Sequence, residues 1–198
     1  MEKLERVIFD CGGVLVESEG MSQRISWEVA AAHGIPDSED EIARRYLGVS
    51  DDEMMIDLER RHGVTLPSGF RNELLDRKLQ AVARDGVPEI PGAKEAVAAV
   101  VRAGLLTCVA SSGTHPEIDS KLRPLGFLDL FGGHIFSASN VEKGKPEPDL
   151  FLHAASAMGV PPARSVVVED SVNGVLAAVA AGMRVVGYAP DDDRLDLA

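Results

Sequence analysis

Cysteine is scarce in this 198-residue chain, which contains only Cys11 and Cys108, each inside or beside an apolar run. Two isolated thiols exclude a disulfide framework and a paired-cysteine metal site, and they suit a reducing compartment. Basic residues are also few, with 20 Lys and Arg against 32 Asp and Glu, for a formal charge of −12. That balance disfavours both a nucleic-acid partner and the anionic face of a membrane. Long apolar runs are missing too: none approaches the roughly 20 residues that span a bilayer. The opening M-E-K-L-E-R lacks the apolar stretch of a signal peptide, so the expectation is a cytoplasmic protein. Among the five histidines none pairs at metal-ligand spacing. Packing or solvated roles are expected for His33, His62, His134 and His153, whereas His115, beside a serine-rich loop, is a candidate substrate contact. There is no internal repeat and no low-complexity tract.

What is present is an ordinary globular mix, 45% hydrophobic and 26% charged, enough for one sizeable core plus an appendage. From Glu89 onward short apolar runs alternate with helical periodicity, the pattern of a doubly wound α/β fold with a parallel sheet. Strands are expected at Arg6–Phe9, Leu105–Ala110, His134–Phe136, Ser165–Val168 and Arg184–Tyr188. Helices are expected at Ala93–Ala103, Pro116–Leu125, Asp149–Met158 and Val172–Ala181, the first and last stopping at Gly104 and Gly182. Residues 21–85 hold no convincing strand. Their amphipathic stretches, Met21–His33, Glu39–Leu47, Asp51–His62 and Ser68–Ala83, describe a helical insert, and V-P-E-I-P-G at 87–92 suits a semi-rigid hinge. Trp27, Met54 and Met55 are expected to pack inside that insert.

The first strand stops at one carboxylate, Asp10, followed by Gly12 and Gly13 after Cys11. An unpaired buried carboxylate costs several kcal/mol, so Asp10 needs a partner or a use. In an open parallel sheet the strand carboxyl ends line one crevice. The later ends deliver Ser111, Ser112 and Gly113, then Lys145 in G-K-P, then Glu169 and Asp170. Three carboxylates at close quarters call for a cation, and hard oxygen ligands suit Mg²⁺. Lys145 with that metal would neutralise a phosphate dianion. The Ser111 hydroxyl and the Ser112 and Gly113 amides, just ahead of the Pro116 helix, would hold its oxygens. Asp10 would attack phosphorus in line, giving an aspartyl-phosphate that water later cleaves. Ser171 can cap the following helix, which leaves Glu169 and Asp170 for the metal.

Taken in order, F-D-C-G-G-V-L-V-E-S-E, V-A-S-S, G-K-P-E-P-D-L-F and V-V-V-E-D-S-V-N-G-V resemble the four motifs of the haloacid dehalogenase superfamily, over nearly the whole chain. The branch resembled is phosphatase-like, with a Rossmann-like core and a small all-helical cap inserted after the first strand. The resemblance implies a core of residues 1–17 and 88–198 and a cap of 18–87. It implies Asp10 as nucleophile, Ser111 and Lys145 as the phosphate-binding pair, and Asp10, Glu169, Asp170 and the Gly12 carbonyl as Mg²⁺ ligands. The expected substrate is a small phosphorylated metabolite, and the expected state a monomer or weak dimer.

One departure matters. Phosphatases of this family usually carry a second aspartate two residues after the nucleophile, as proton carrier, and here that position is Gly12. Positioned acid–base catalysis is worth about 10² to 10⁴ in rate, so hydrolysis is expected to be impaired unless Glu17 or Glu19 substitutes. Two alternatives follow: a noncatalytic phosphometabolite-binding protein, or a metal-independent 2-haloacid dehalogenase, which would not be expected to keep Glu169 and Asp170 beside Lys145. A mutase is disfavoured because Asp51 follows G-V-S where a basic residue is typical. A phosphonate hydrolase is disfavoured because Lys78, the insert's lysine, lies late in it. The chain also ends at Ala198, where the family commonly adds a further strand and helix, and that implies an exposed sheet edge or a shortened chain.

Overall fold

A computed structural model describes residues 3–189; residues 190–198, the end of the expected core, lie outside the described residues. Five strands, β1 (Arg6–Phe9), β2 (Leu106–Ser111), β3 (Ile135–Ser137), β4 (Ser165–Glu169) and β5 (Arg184–Gly187), form one parallel sheet in the order β3-β2-β1-β4-β5. β1 is central. Ile8 is in register with Cys108 on one side and with Val167 on the other. The chain winds outward from β1 to β3 and then crosses back to β4, so the direction of winding changes beside β1, where such sheets hold ligands.

Alternation along the strands builds two apolar layers. Val7, Phe9 and Val109 face the helices α5 (Ala93–Arg102) and α6 (His115–Leu122) through Val97, Ile118 and Leu122. Ile8, Cys108, Ala110 and Val167 face α7 (Asp149–Met158) and α8 (Val172–Ala180) through Leu150, Phe151, Ala154 and Ala177. Both faces of a parallel sheet are thus covered, which is why its strands read as apolar runs. Each fully buried aliphatic or aromatic side chain contributes on the order of 1.5–3 kcal/mol.

Between β1 and α5 lie four helices, α1 (Glu19–Ala32), α2 (Glu39–Tyr46), α3 (Asp51–His62) and α4 (Phe70–Asp85). They bury an apolar cluster of their own around Val29, Ile42, Leu58, Phe70 and Leu74. Capping boxes start two of them: Ser38 with Glu41 on α2, and Ser50 with Glu53 on α3. Trp27 and Met55 pack against the same cluster, which includes Met54. The ends of the insert are tied together, because the Glu17 amide donates to the Pro88 carbonyl at 2.9 Å and the Ile90 amide to the Leu15 carbonyl at 3.0 Å.

Several boundaries differ from expectation. α1 starts at Glu19, two residues ahead of its apolar pattern, and α4 runs Phe70–Asp85, with Phe70 and Ala81 in the insert's cluster and Val82 in the cluster on the sheet. α6 stops at Leu122 rather than Leu125, since Pro124 has no N–H to continue the helix. β2 and β3 each lie one residue later than expected, because Ser111 pairs with Ser137. No helix among the described residues is long and apolar enough to cross a membrane.

Candidate active site

Asp10 follows directly on β1, its amide donating to the Val168 carbonyl at 3.0 Å. Its Oδ1 accepts from Lys145 Nζ at 2.7 Å, and the same ammonium donates to Glu169 Oε1 at 2.5 Å and to the Ala110 carbonyl at 3.1 Å. Those three bonds use all three donors of the lysine. One side chain therefore links the ends of β1, β2 and β4 from the loop after β3. Lys145 is only 1% exposed, and its Nζ lies 5.2 Å from the centre of the Phe151 ring. Burial alone would lower its pKa, but Asp10 and Glu169 outweigh that and hold the ammonium above its ordinary range.

Glu169, fully buried at the end of β4, has both oxygens committed. Oε1 takes the lysine, while Oε2 accepts the amides of Asp170 and Ser171 and the Ser171 hydroxyl, each at 3.0 Å. Ser171 caps α8, its Oγ accepting from the Gly174 amide at 3.1 Å, so the acids are indeed not needed as caps. The carboxyl of Glu169 lies so close to α8 that a Cβ on Gly174 would fall 1.9 Å from it. Only glycine fits there.

Asp170 presses against the turn after Asp10. Gly13 has φ +71, and a Cβ there would lie 2.0 Å from Asp170 Oδ2, so this turn admits neither a side chain nor, readily, an L-residue's backbone. Oxygens of Asp10, Glu169 and Asp170 lie within 4.8 Å of one another. Burial, opposed by Lys145 and reinforced by Glu169, pushes Asp10 up to about 6. Burial, with the charges of Glu19, Asp10 and Glu169, pushes Asp170 up to about 9. Three buried carboxyls around a single ammonium leave an excess of negative charge, and the residues fit a hard divalent cation such as Mg²⁺.

Over Gly12 stands the side chain of Glu19. A Cβ on Gly12 would lie 3.6 Å from Glu19 Cγ and 3.4 Å from Ser18 Oγ, and the Glu19 carboxyl acts on that of Asp170, raising its pKa. The space beside the missing aspartate is therefore occupied by a carboxyl supplied from the first turn of α1. Cys11 points into the apolar layer, where burial pushes its thiol up to about 12.

Ser111, Ser112 and Gly113 line the same cleft as Asp10. Ser111 is the last residue of β2, and its Oγ accepts from the Gly113 amide at 3.3 Å. The Gly113 carbonyl accepts from Ser137 Oγ at 2.6 Å, which fixes the loop from behind. The Ser112 hydroxyl is turned to the insert, donating to the Gly48 carbonyl at 2.7 Å. Thr114, not a serine, caps α6. His115 bonds Asn140 at 3.1 Å and is not among the residues lining this cleft.

Three contacts that the sequence did not suggest hold the α2–α3 turn over these loops. Besides the Ser112 bond, Asn173 Nδ2 donates to the Leu47 carbonyl at 3.0 Å, and the Gly144 amide donates to Glu53 Oε1 at 2.9 Å. Glu53 carried no signal in the sequence analysis; one of its oxygens closes the capping box with Ser50 and the other reaches the residue before Lys145. Lys78 likewise gave no signal beyond being a lysine late in the insert, yet it is 7% exposed and lines the cleft.

Comparison with known proteins agrees with this geometry. Residues 4–182 match the family model described as a hydrolase, haloacid dehalogenase-like hydrolase. The chain is 30% identical over 191 residues to the 6-phosphogluconate phosphatase of Escherichia coli K12, covering 96% of this chain and 85% of that protein. It is 34% identical over 199 residues to hexitol phosphatase B of the same organism, covering 96% and 88%. Among solved structures, a mutant of CbbY from Rhodobacter sphaeroides in complex with xylulose-1,5-bisphosphate superposes with a TM-score of 0.81 at 28% identity, covering 98% and 91%.

Proposed function

Since the chain belongs to the haloacid dehalogenase-like hydrolases, in their phosphatase-like branch, we propose that it hydrolyses small phosphate monoesters through Asp10, with phosphorylated carbohydrates as the substrate class named for its relatives. The observation that carries this reading is the three-way junction of Lys145 with Asp10, Glu169 and the Ala110 carbonyl. A buried, fixed cation beside Asp10 supports the use of that carboxylate as nucleophile.

In this reading an Asp10 oxygen bonds to phosphorus as the ester bond breaks, and the leaving oxygen takes a proton. Water then attacks the aspartyl-phosphate, releases phosphate and restores Asp10. Lys145 orients Asp10 and balances the phosphoryl oxygens, while Ser111 and the Ser112 and Gly113 amides hold them. Mg²⁺, held by Asp10, Asp170 and the Gly12 carbonyl with Glu169 alongside, would supply further positive charge for the dianion. Residues 18–87 act as the cap that closes over the site and excludes water, on a core of 1–17 and 88–198. Without an aspartate at Gly12, turnover favours good leaving groups.

The direct test is phosphate release from p-nitrophenyl phosphate. Release that requires Mg²⁺ and is abolished by Asp10→Asn is the expected result. Equal release after chelation, or full activity in the Asp10 variant, would overturn the reading.

A further inference from the structure

Beyond the phosphate end, the cleft has a wall in which two of the three cations are held by acids. Three basic residues line it, Arg71, Lys78 and Lys121, and so do three acids of the same wall, Asp51, Asp52 and Glu117. Lys78 Nζ is 2.5 Å from Asp51 Oδ1 and 3.7 Å from Glu117 Oε1. Arg71 grips Asp52 with two nitrogens, its NH2 group donating to Oδ2 at 2.9 Å and its Nε to Oδ1. Lys121 stands one turn beyond Glu117 on α6. Burial alone would raise the Glu117 carboxyl, but the charges of Lys78 and Lys121 hold it below its ordinary range. Two of the wall's cations are thus engaged by its own acids, and its three cations and three anions leave no net formal charge. Facing it along α1 are the polar side chains of Ser22, Gln23 and Ser26.

That arrangement selects on charge. A substrate carrying a second phosphate or a carboxylate at its far end would meet a wall of no net charge, and against Lys78 or Arg71 it would have to displace an acid from that cation. It would then leave that acid unpaired beside the new anion, and like charges brought together at a partly desolvated contact are strongly unfavourable. A chain of hydroxyls carries no such penalty and can exchange hydrogen bonds with both the hydroxyl and the carboxylate groups of the wall. Resting on the phosphatase reading, we infer that the preferred substrate is a phosphate monoester whose remainder is neutral and hydroxyl-rich, a polyol or neutral sugar monophosphate, and not a sugar-acid phosphate or a bisphosphate.

The experiment compares kcat/KM for a hexitol 6-phosphate, 6-phosphogluconate, xylulose-1,5-bisphosphate and p-nitrophenyl phosphate on the wild-type chain with Mg²⁺. The expected result is a preference of about tenfold or more for the hexitol phosphate over both doubly anionic compounds. Equal or better use of 6-phosphogluconate or the bisphosphate, with p-nitrophenyl phosphate still cleaved, overturns this inference and leaves the phosphatase reading standing. Cleavage of none of the four overturns the phosphatase reading, and this inference with it. In Asp51→Asn, which weakens the hold on Lys78, the ratio of 6-phosphogluconate to hexitol phosphate is expected to rise by about fivefold. An unchanged ratio in the folded variant would show that Lys78 does not set the selection.

Discussion

At the scale of single residues, the outcome turns on how Gly12 and Glu19 share one small volume. A Cβ at residue 12 meets only ordinary contacts, 3.4 Å from Ser18 Oγ and 3.6 Å from Glu19 Cγ, so the backbone tolerates a side chain there, and an aspartate carboxyl would share its space with that of Glu19. Gly12→Asp is expected to raise kcat by about 10² for alkyl phosphates, whose leaving oxygen most needs a proton, and much less for p-nitrophenyl phosphate. Parallel assays on the two esters check it, and an equal effect on both would remove proton transfer as the explanation. The candidate residues Asp10, Ser111, Lys145, Glu169 and Asp170 were legible because each ends a strand or follows one closely. Glu19 was legible only as one of two early acids. Its position over Gly12 depends on where α1 begins, and the apolar pattern placed that two residues too late.

Elements hold their ends by polar contacts whose strength follows pH. Asp37, in the connection between α1 and α2, receives Arg61 from α3 at 2.8 and 3.3 Å, and His62 Nε2 lies 3.0 Å from its other oxygen. Burial tends to raise the Asp37 carboxyl, but the Arg61 hydrogen bonds and the adjacent His62 ring more than offset this, so its pKa is lowered on folding. A carboxyl lowered in the folded state adds stability above its unfolded value of about 3.9, and that stability is lost as pH falls through the lower folded value. Asp37→Asn should therefore cost about 1–2 kcal/mol at pH 7, with the gap to wild type closing below about pH 4. Thermal melts of both proteins across that range check it; a gap that persists in acid would assign the loss to packing. The helices of the insert were readable from amphipathic spacing, but the ion pair was not, because Asp37 lies in a connection and Arg61 on a later helix.

For the molecule as a whole, a formal charge of −12 and three carboxyls buried at one site both oppose the compact state. A divalent cation bound at that site relieves the second of these. Mg²⁺ at about 100 times its dissociation constant is expected to stabilise the fold by about 2.7 kcal/mol, seen as a rise in Tm that chelation reverses. Asp170→Asn should abolish most of that rise, and a full Mg²⁺ response in this variant would place the ion elsewhere. The same scale governs selection of substrate, since the cleft exists only where α3 and α4 of the insert come to rest against α6 and the loops after β2, β3 and β4.

The sequence by itself determined the parallel α/β sheet, the helical insert after the first strand and the four strand ends whose following residues gather around Asp10. These are local matters: apolar periodicity, glycine and proline stops, and the rule that strand carboxyl ends share one crevice. Only the tertiary structure decided that Lys145 spends all three of its donors within the site, that Glu169 serves the lysine and the α8 entrance together, that Glu53 reaches the Gly144 amide, and that Lys78 is matched by Asp51 and Glu117. Those pairings join residues far apart along the chain. Their partners are set by how the insert packs on the sheet, and no local pattern of residues encodes the distance between two surfaces that meet only after both have folded.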